Sequence, residues 1–346
     1  MAFDVGLTSF LLALLLTPVV RSVGRRLDVV DRPNYRSSHE NPTPRGGGVA
    51  ISIAVVAGVV FAGRAVVDRE ALVLLASGLV LGGVGIFDDL RGLSVRFRLI
   101  AQAAVAAIAM MFGGLGLSDV EFLHGLVISL DGLGPILVTL WLVGVTNAYN
   151  FMDGINGIAV LESIICASVF AILALRVDDP GGAALAVAVA GAALGFLPWN
   201  FPRASIFMGD SGSLAMGFLL GALSLRLVRS GVPALVIVLP LSPFLFDTSV
   251  TLIRRVLRRE RITAPHRTHF YQRLVISGWS HAGVTLLWSG LAAAFSILAL
   301  AAGSSRMGQI IGAAAALAVL SCIAFWISRR SPLGKHRGSD ATQNGG

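Results

Sequence analysis

The chain has 346 residues, of which 55% are hydrophobic and 13% charged, with a mean hydropathy of +0.81. A soluble protein of this size could not solvate such a surface, so the composition excludes a soluble enzyme and points to a polytopic membrane protein. The net charge of +8 would suggest nucleic acid in a soluble chain; here no nucleic-acid partner is expected, and the distribution of the charges says more than their sum.

At about 20 residues per crossing, the apolar segments fall roughly at 3–23, 47–63, 70–87, 97–113, 133–150, 156–175, 182–198, 212–228, 232–253, 281–302 and 307–328. They predict an all-α polytopic membrane protein, a bundle of about 10–11 transmembrane helices with a cytoplasmic active-site cleft. One domain covers 1–330, and a polar, disordered tail covers 331–346. The first segment lacks a basic run before it and a cleavage site after it, and reads as a retained helix. Cys166 and Cys322 lie inside apolar runs, as small buried hydrophobes.

Alternate connections gather 21 of the 27 Lys and Arg residues on one side, in 21–46, 88–98, 203, 254–280 and the tail. The positive-inside rule makes that side cytoplasmic and puts the N-terminus outside. Segment 114–131 is too polar and glycine-broken to span, and reads as a short external hairpin.

Polar residues collect in five loops on the basic side: 24–48, 87–98, 147–157, 199–213 and 254–280. In the first, "NPTPRGGGVA" brings three glycines, Gly47 among them, to the start of a helix, where backbone N–H groups can approach a phosphate or a base. The second, "GIFDDLRGLSVRFR", pairs Asp88 with Asp89, which can bind a divalent cation or act as a base. Arg96 and Arg98 follow within reach of a phosphate. In the third, "NAYNFMDGINGIAV" spaces Asn147, Asn150, Asp153 and Asn156 three apart, then frees the backbone at Gly154 and Gly157. The fourth, "FPRASIFMGDSGSLAMG", sets Asp210 in a glycine turn entering a helix, suited either to a helix cap or to a magnesium–phosphate site. The fifth, "APHRTHFYQRL", presents His266, Arg267, His269 and Arg273 as donors for a multiply charged anion. Carboxylates, amides, glycines and bases on one face suggest an enzyme acting on a nucleotide-linked donor and a lipid-borne acceptor.

In this order the motifs "NPTPRGGG", "FDDLRGLSVRFR", "NAYNFMDGINGIA", "FMGDSGSLAMG" and "PHRTHFYQRL" resemble the polyprenyl-phosphate N-acetylhexosamine-1-phosphate transferases, over roughly residues 30–275. The resemblance implies a bacterial inner-membrane enzyme with a UDP-N-acetylhexosamine donor, an undecaprenyl phosphate acceptor and Mg²⁺, for which Mn²⁺ could substitute, and it leaves a homodimer open. It further implies that Asp88 and Asp89 meet the lipid phosphate and that Asp210 is the principal Mg²⁺ ligand with Asn150 assisting. Asp153 and Asn156 would line the uridine pocket, Arg96 or Arg98 would meet the pyrophosphate, and His266, Arg267 and His269 would hold the donor's sugar and phosphates.

The departures are specific. Gly92 stands where many relatives have a third Asp, and Asn156 where many have a second Asp in "DGxDG". A run of three histidines is absent, which argues against the phospho-N-acetylmuramoyl-pentapeptide transferase of peptidoglycan synthesis. The "HRTHFYQRL" loop is more similar to transferases that start O-antigen or exopolysaccharide chains. A transporter is the competing class; it would need ionisable residues near mid-membrane, where Asp247 comes closest. An inactive, sugar-binding relative is the third reading, kept alive by Gly92 and Asn156.

Overall fold

The computed structural model describes residues 2–32, 42–63, 66–264 and 266–330; the tail expected at 331–346 and part of the 24–48 loop lie outside them. The elements in chain order are α1 (Ala2–Arg26), β1 (Val30–Asp31), β2 (Thr43–Pro44), α2 (Gly47–Ala62), α3 (Arg69–Arg91), α4 (Val95–Phe112), β3 (Asp119–Leu123), β4 (Leu126–Ser129), α5 (Gly134–Met152), α6 (Ile158–Arg176), α7 (Pro180–Asn200), α8 (Asp210–Arg229), α9 (Ala234–Leu257), α10 (Phe270–Ile276), α11 (His281–Ala302) and α12 (Arg306–Arg330). Ten of these helices are long and apolar enough to cross a membrane. The exception among the eleven expected segments is α2: its 16 residues rise only about 24 Å against a hydrocarbon core of about 30 Å. It is stopped at both ends by glycines in left-handed backbone, Gly46 and Gly63. The expected hairpin over 114–131 is β3 and β4, paired antiparallel.

The bundle is organised round α8, in which every residue from Ser211 to Leu227 is buried. A helix apolar on all sides belongs in the centre, and in lipid such a centre forms by close backbone approach at small residues. Gly48 of α2 lies against Gly212, and Gly85 of α3 against the Asp210 backbone, each so close that a Cβ would overlap main chain. On the opposite face of α8, Gly217 receives Tyr149 of α5. These registers fix directions: α2 runs parallel to α8, while α3 and α5 run antiparallel to it. One end of the bundle therefore collects the N-termini of α2, α4, α6 and α8 and the C-termini of α3, α5, α7 and α9, and this is the end that carries the polar motifs.

The other end is closed by ion pairs. Arg226, near the end of α8, donates to Asp179, the N-cap of α7, at 2.6 and 2.7 Å, and to Asp68, the N-cap of α3, at 2.5 and 3.1 Å. Arg229 pairs with Glu70 beside them. The outer helices α1, α4 and α12 leave residues such as Leu15, Ile100 and Phe325 exposed, as lipid-facing surfaces do.

Candidate active site

At the polar end, the glycine turn at Gly209, φ 74°, delivers the N-terminus of α8 between α3 and α5. Asp89 caps it: its two carboxylate oxygens accept from the N–H groups of Asp210 at 3.1 Å and Ser211 at 3.2 Å. Its side chain is 2% exposed, with Arg45 3.9 Å away. Asp88, one residue earlier, accepts from Leu93 N–H at 2.6 Å and from Arg98 Nη1 at 2.8 Å. The same Arg98 nitrogen lies 4.0 Å from Asp210 Oδ2. Arg98 thus stands between two carboxylates, as a cation drawn to both.

Asp210 is held on its other oxygen: Asn150 Nδ2 donates to Oδ1 at 2.7 Å and also to Ser213 Oγ at 2.9 Å. Asp210 keeps 29% of its side chain exposed, far more than Asp88 or Asp89. The next residue of the strip with a carboxyl, half-buried Asp153, ends α5 within electrostatic reach of Asp210, Asp89 and Arg45. Asp88, Asp89 and Asp210 outnumber Arg45 and Arg98, so the mouth has an excess of acidic groups even without Asp153.

Burial, reinforced by Asp210 and Asp89 and partly offset by Arg45, pushes the Asp153 carboxyl up from 3.8 to about 7. Such a carboxyl is neutral in the folded protein at pH 5 and opposes folding as it ionises, with the loss building up between about pH 4 and 7. Asp153→Asn is expected to remove that slope in metal-free, detergent-purified protein. Its thermal unfolding should match wild type at pH 4 and show a gain on the order of 2 kcal/mol at pH 8, once screening is allowed for. Parallel profiles for the two proteins would count against this assignment.

Several expected site residues are placed differently. The Gly47 and Gly48 N–H groups are not free for a phosphate: they donate to Phe207 O and Met208 O, both at 2.9 Å. A Cβ on Gly47 would run into the Phe196 ring, so this glycine is a packing joint. Asn150 faces Asp210 with its NH₂ group, which can orient a carboxylate but cannot ligate a metal. Arg96 is exposed, and Arg98 is the arginine that reaches the carboxylates. Asn156 donates from Nδ2 to Pro202 O at 3.2 Å, and its backbone carbonyl accepts from Thr285, leaving its Oδ1 as the group for a ligand. Asn147 faces away from the cluster and donates to Gln102 at 2.5 Å, joining α5 to α4.

In the basic loop Arg267 is exposed. His266 bonds Thr268 through Nδ1 at 3.0 Å; burial, with His269 and Arg255 adding to it, lowers its pKa to about 4, so it enters as a neutral ring. His269 is buried, with Nδ1 3.2 Å from Asp247. Asn200, the last residue of α7, accepts from Gly157 N–H at 2.8 Å and donates to Ile206 O at 2.9 Å, closing the turn that carries Phe201 and Pro202. The sequence reading passed over Arg45, Asn200 and Ser213. Arg45 stands directly before the glycine run at a helix start, which was a usable signal; Asn200 and Ser213 carry none, because their partners are more than forty residues away in the chain. It also passed over Glu162, fully buried one turn into α6, whose Oε1 lies 3.7 Å from Cys166 Sγ.

Among the described residues no group of three His, Cys, Asp or Glu side chains converges into a complete metal cage. The donor set nevertheless fits Mg²⁺, a hard cation that takes one or two carboxylates from protein and the rest from water and phosphate oxygens. Asp210, partly exposed and held in orientation, supplies the first, and the excess negative charge of the mouth favours a cation there.

A model of glycosyl transferase family 4 matches residues 71–228, a stretch that contains Asp88, Asp89, Arg98, Asn150, Asp153, Asn156 and Asp210 and leaves out the histidine loop. The probable undecaprenyl-phosphate N-acetylglucosaminyl 1-phosphate transferase of Bacillus subtilis (strain 168) is 35% identical over 305 residues, covering 87% of this chain and 85% of the relative. The decaprenyl-phosphate N-acetylglucosaminephosphotransferase of Mycobacterium tuberculosis (strain ATCC 25618 / H37Rv) is 34% identical, covering 84% and 80%. A phospho-N-acetylmuramoyl-pentapeptide-transferase, from Clostridium beijerinckii, is 28% identical over 84% of the chain and 92% of its own.

Proposed function

The chain belongs to the polyprenyl-phosphate N-acetylhexosamine-1-phosphate transferases of glycosyl transferase family 4, and on that premise we propose that it moves HexNAc-1-phosphate from a UDP-HexNAc donor to undecaprenyl phosphate or a similar polyprenyl phosphate, releasing UMP. The observation that carries the reading is the cluster at the mouth of α8: Asp210 open and oriented, Asp88 paired with Arg98, and the 150–157 strip beside them. GlcNAc-1-phosphate transfer, named for the relatives at 34–35% identity, is favoured over the pentapeptide-bearing sugar, named for a relative at 28%. The basic loops at the same end make it the cytoplasmic end by the positive-inside rule, the side on which a nucleotide sugar is met, in a bacterial plasma membrane.

Phosphoryl transfer asks for in-line positioning and charge neutralisation more than for covalent chemistry. Bound Mg²⁺ would sit on Asp210, near Asp88 and Asp153, and would supply neutralisation of the donor's pyrophosphate. Arg98, already poised between Asp88 and Asp210, binds phosphate oxygens, with Arg45 adding positive charge from the α2 side. Asp153 and the Oδ1 of Asn156 face the nucleotide, and the neutral His266 ring and exposed Arg267 flank the sugar phosphate. As Arg98 moves onto phosphate oxygens it releases Asp88 Oδ2, which accepts a proton from a monoanionic lipid phosphate. The lipid phosphate oxygen then forms a bond to the donor's β-phosphorus while the bond from that phosphorus to the oxygen bridging to the α-phosphorus breaks, and UMP departs with that oxygen. Asp89 keeps the α8 N-terminus in place. Because its oxygens are committed to backbone N–H groups, direct attack is preferred to an aspartyl-phosphate on this residue.

Membranes containing the protein, Mg²⁺ and polyprenyl phosphate are expected to release UMP from at least one member of a panel of UDP-HexNAc donors, with matching formation of lipid-pyrophosphate-sugar. Folded protein that releases no UMP from any donor would sink the reading, and the panel also names the sugar.

A further inference from the structure

The steps above leave Asp247 without a part. It lies on α9, ten residues before that helix ends at Leu257, or about 15 Å along it, and is 1% exposed. A carboxylate at that depth is costly unless donors surround it. Four do. Phe270 N–H donates to Oδ1 at 2.9 Å and Tyr271 N–H to Oδ2 at 3.0 Å. His269 Nδ1 lies 3.2 Å from Oδ1, and the Thr251 hydroxyl 3.3 Å. Three of these come from beyond the 258–268 loop, so the loop leaves α9 and folds back until the first turn of α10 is seated on Asp247.

From α10 the contacts continue to the strip that ends α5. The Tyr271 hydroxyl donates to Phe151 O at 2.9 Å, and it occupies the space that a Cβ on Gly154 would need. The His269 ring lies 5.9 Å from Phe151, 5.9 Å from Tyr271 and 5.0 Å from His266, centroid to centroid. These contacts end beside Asn150 and Asp153. Asp88, on the acceptor's phosphate, belongs to α3 and is not on this path.

We propose that Asp247 is a positioning residue for the UDP-sugar: by seating α10 it fixes His269 through Nδ1 and braces the 150–157 strip through Tyr271, so that both walls of the donor site share one buried anchor. The inference rests on the donor-site reading given above. It separates the two substrates, since the loop that Asp247 holds belongs to the donor side alone.

The test uses full-length, detergent-purified protein. Asp247→Asn keeps the size, and its Oδ1 can still accept from Phe270, but its NH₂ group meets the Tyr271 N–H, donor against donor. Amide hydrogen exchange over 266–276 is expected to rise, with α8 unchanged. The KM for UDP-HexNAc is expected to rise by about tenfold while the KM for polyprenyl phosphate stays within about twofold, as for a lost buried hydrogen bond felt on one side of the site. Tyr271→Phe, which removes one hydroxyl, is expected to raise the donor KM by about threefold, and it decides the matter if Asp247→Asn does not fold. Wild-type protein that turns over no donor would defeat the functional reading itself. A wild type that turns over, with donor KM or exchange unchanged in the variants or with both KM values moving together, would overturn this proposal alone.

Discussion

Asp210→Ala is expected to lower UMP release by about a thousandfold or more in protein that remains folded, the scale of removing a preorganised charge from a phosphoryl-transfer site. Asp210 differs from its neighbours in being both partly exposed and half committed: one oxygen accepts from Asn150 and the other faces Arg98 at 4.0 Å. Asp88 and Asp89 are each held by backbone N–H groups and nearly covered. Asp210→Asn separates shape from charge, because its carbonyl can still accept from Asn150. It should be nearly as inactive as the alanine variant. UMP release above about a tenth of wild type in Asp210→Asn would mean that the carboxylate's charge is not what the site needs, and would remove Asp210 from the metal assignment.

Arg226→Met is expected to destabilise the bundle by about 3 kcal/mol, seen as a lower Tm in detergent and a smaller folded yield. The guanidinium, 6% exposed, answers Asp179 at 7% and Asp68 at 48%. Losing it strands the buried Asp179, while exposed Asp68 loses little. The effect should therefore depend on the partner: Arg226→Met with Asp179→Asn should recover most of the loss, because the remaining amide can still cap α7 through Gly182 N–H. If the double variant is no more stable than the single one, the ion pair is not the source of the loss. Because this cluster joins the starts of α3 and α7 to the end of α8, the activity of the folded fraction is expected to stay near wild type.

The membrane segments were legible because lipid imposes a strong local rule: about 20 apolar residues per crossing, whatever their neighbours. The β3–β4 hairpin was legible from its glycines and polar residues. At the site, the five motifs converge as their topology required, and Asp88, Asp89, Asp153, Asp210 and Arg98 do gather. Their individual tasks were not legible. "DD" reads the same whether a carboxylate faces a ligand or caps a neighbouring helix, and here Asp89 caps α8. "GGG" reads the same whether its N–H groups are free or bonded, and here they hold Phe207 and Met208. Asn150 and Asn156 were read as ligand-facing, yet each has its NH₂ group turned to protein. Asp247, legible only as the ionisable residue nearest mid-membrane, accepts from the first turn of α10.

By itself the sequence determined that this chain is a multi-pass helical membrane protein, which of its loops are polar, and the order of motifs that places it in its family. Each of these is written in short stretches of chain, in hydrophobic length or in the spacing of a few residues. Only the tertiary structure decided which carboxylate oxygens stay open and which cap helices, where glycines are needed for helices to touch, and which arginine stands between Asp88 and Asp210. Those outcomes depend on the axial register of α8 against α2, α3 and α5, set by contacts such as Gly48 with Gly212 and Gly85 with Asp210. A shift of one residue, about 1.5 Å of rise and 100° of rotation, would give Asp210 a different partner without changing any local pattern.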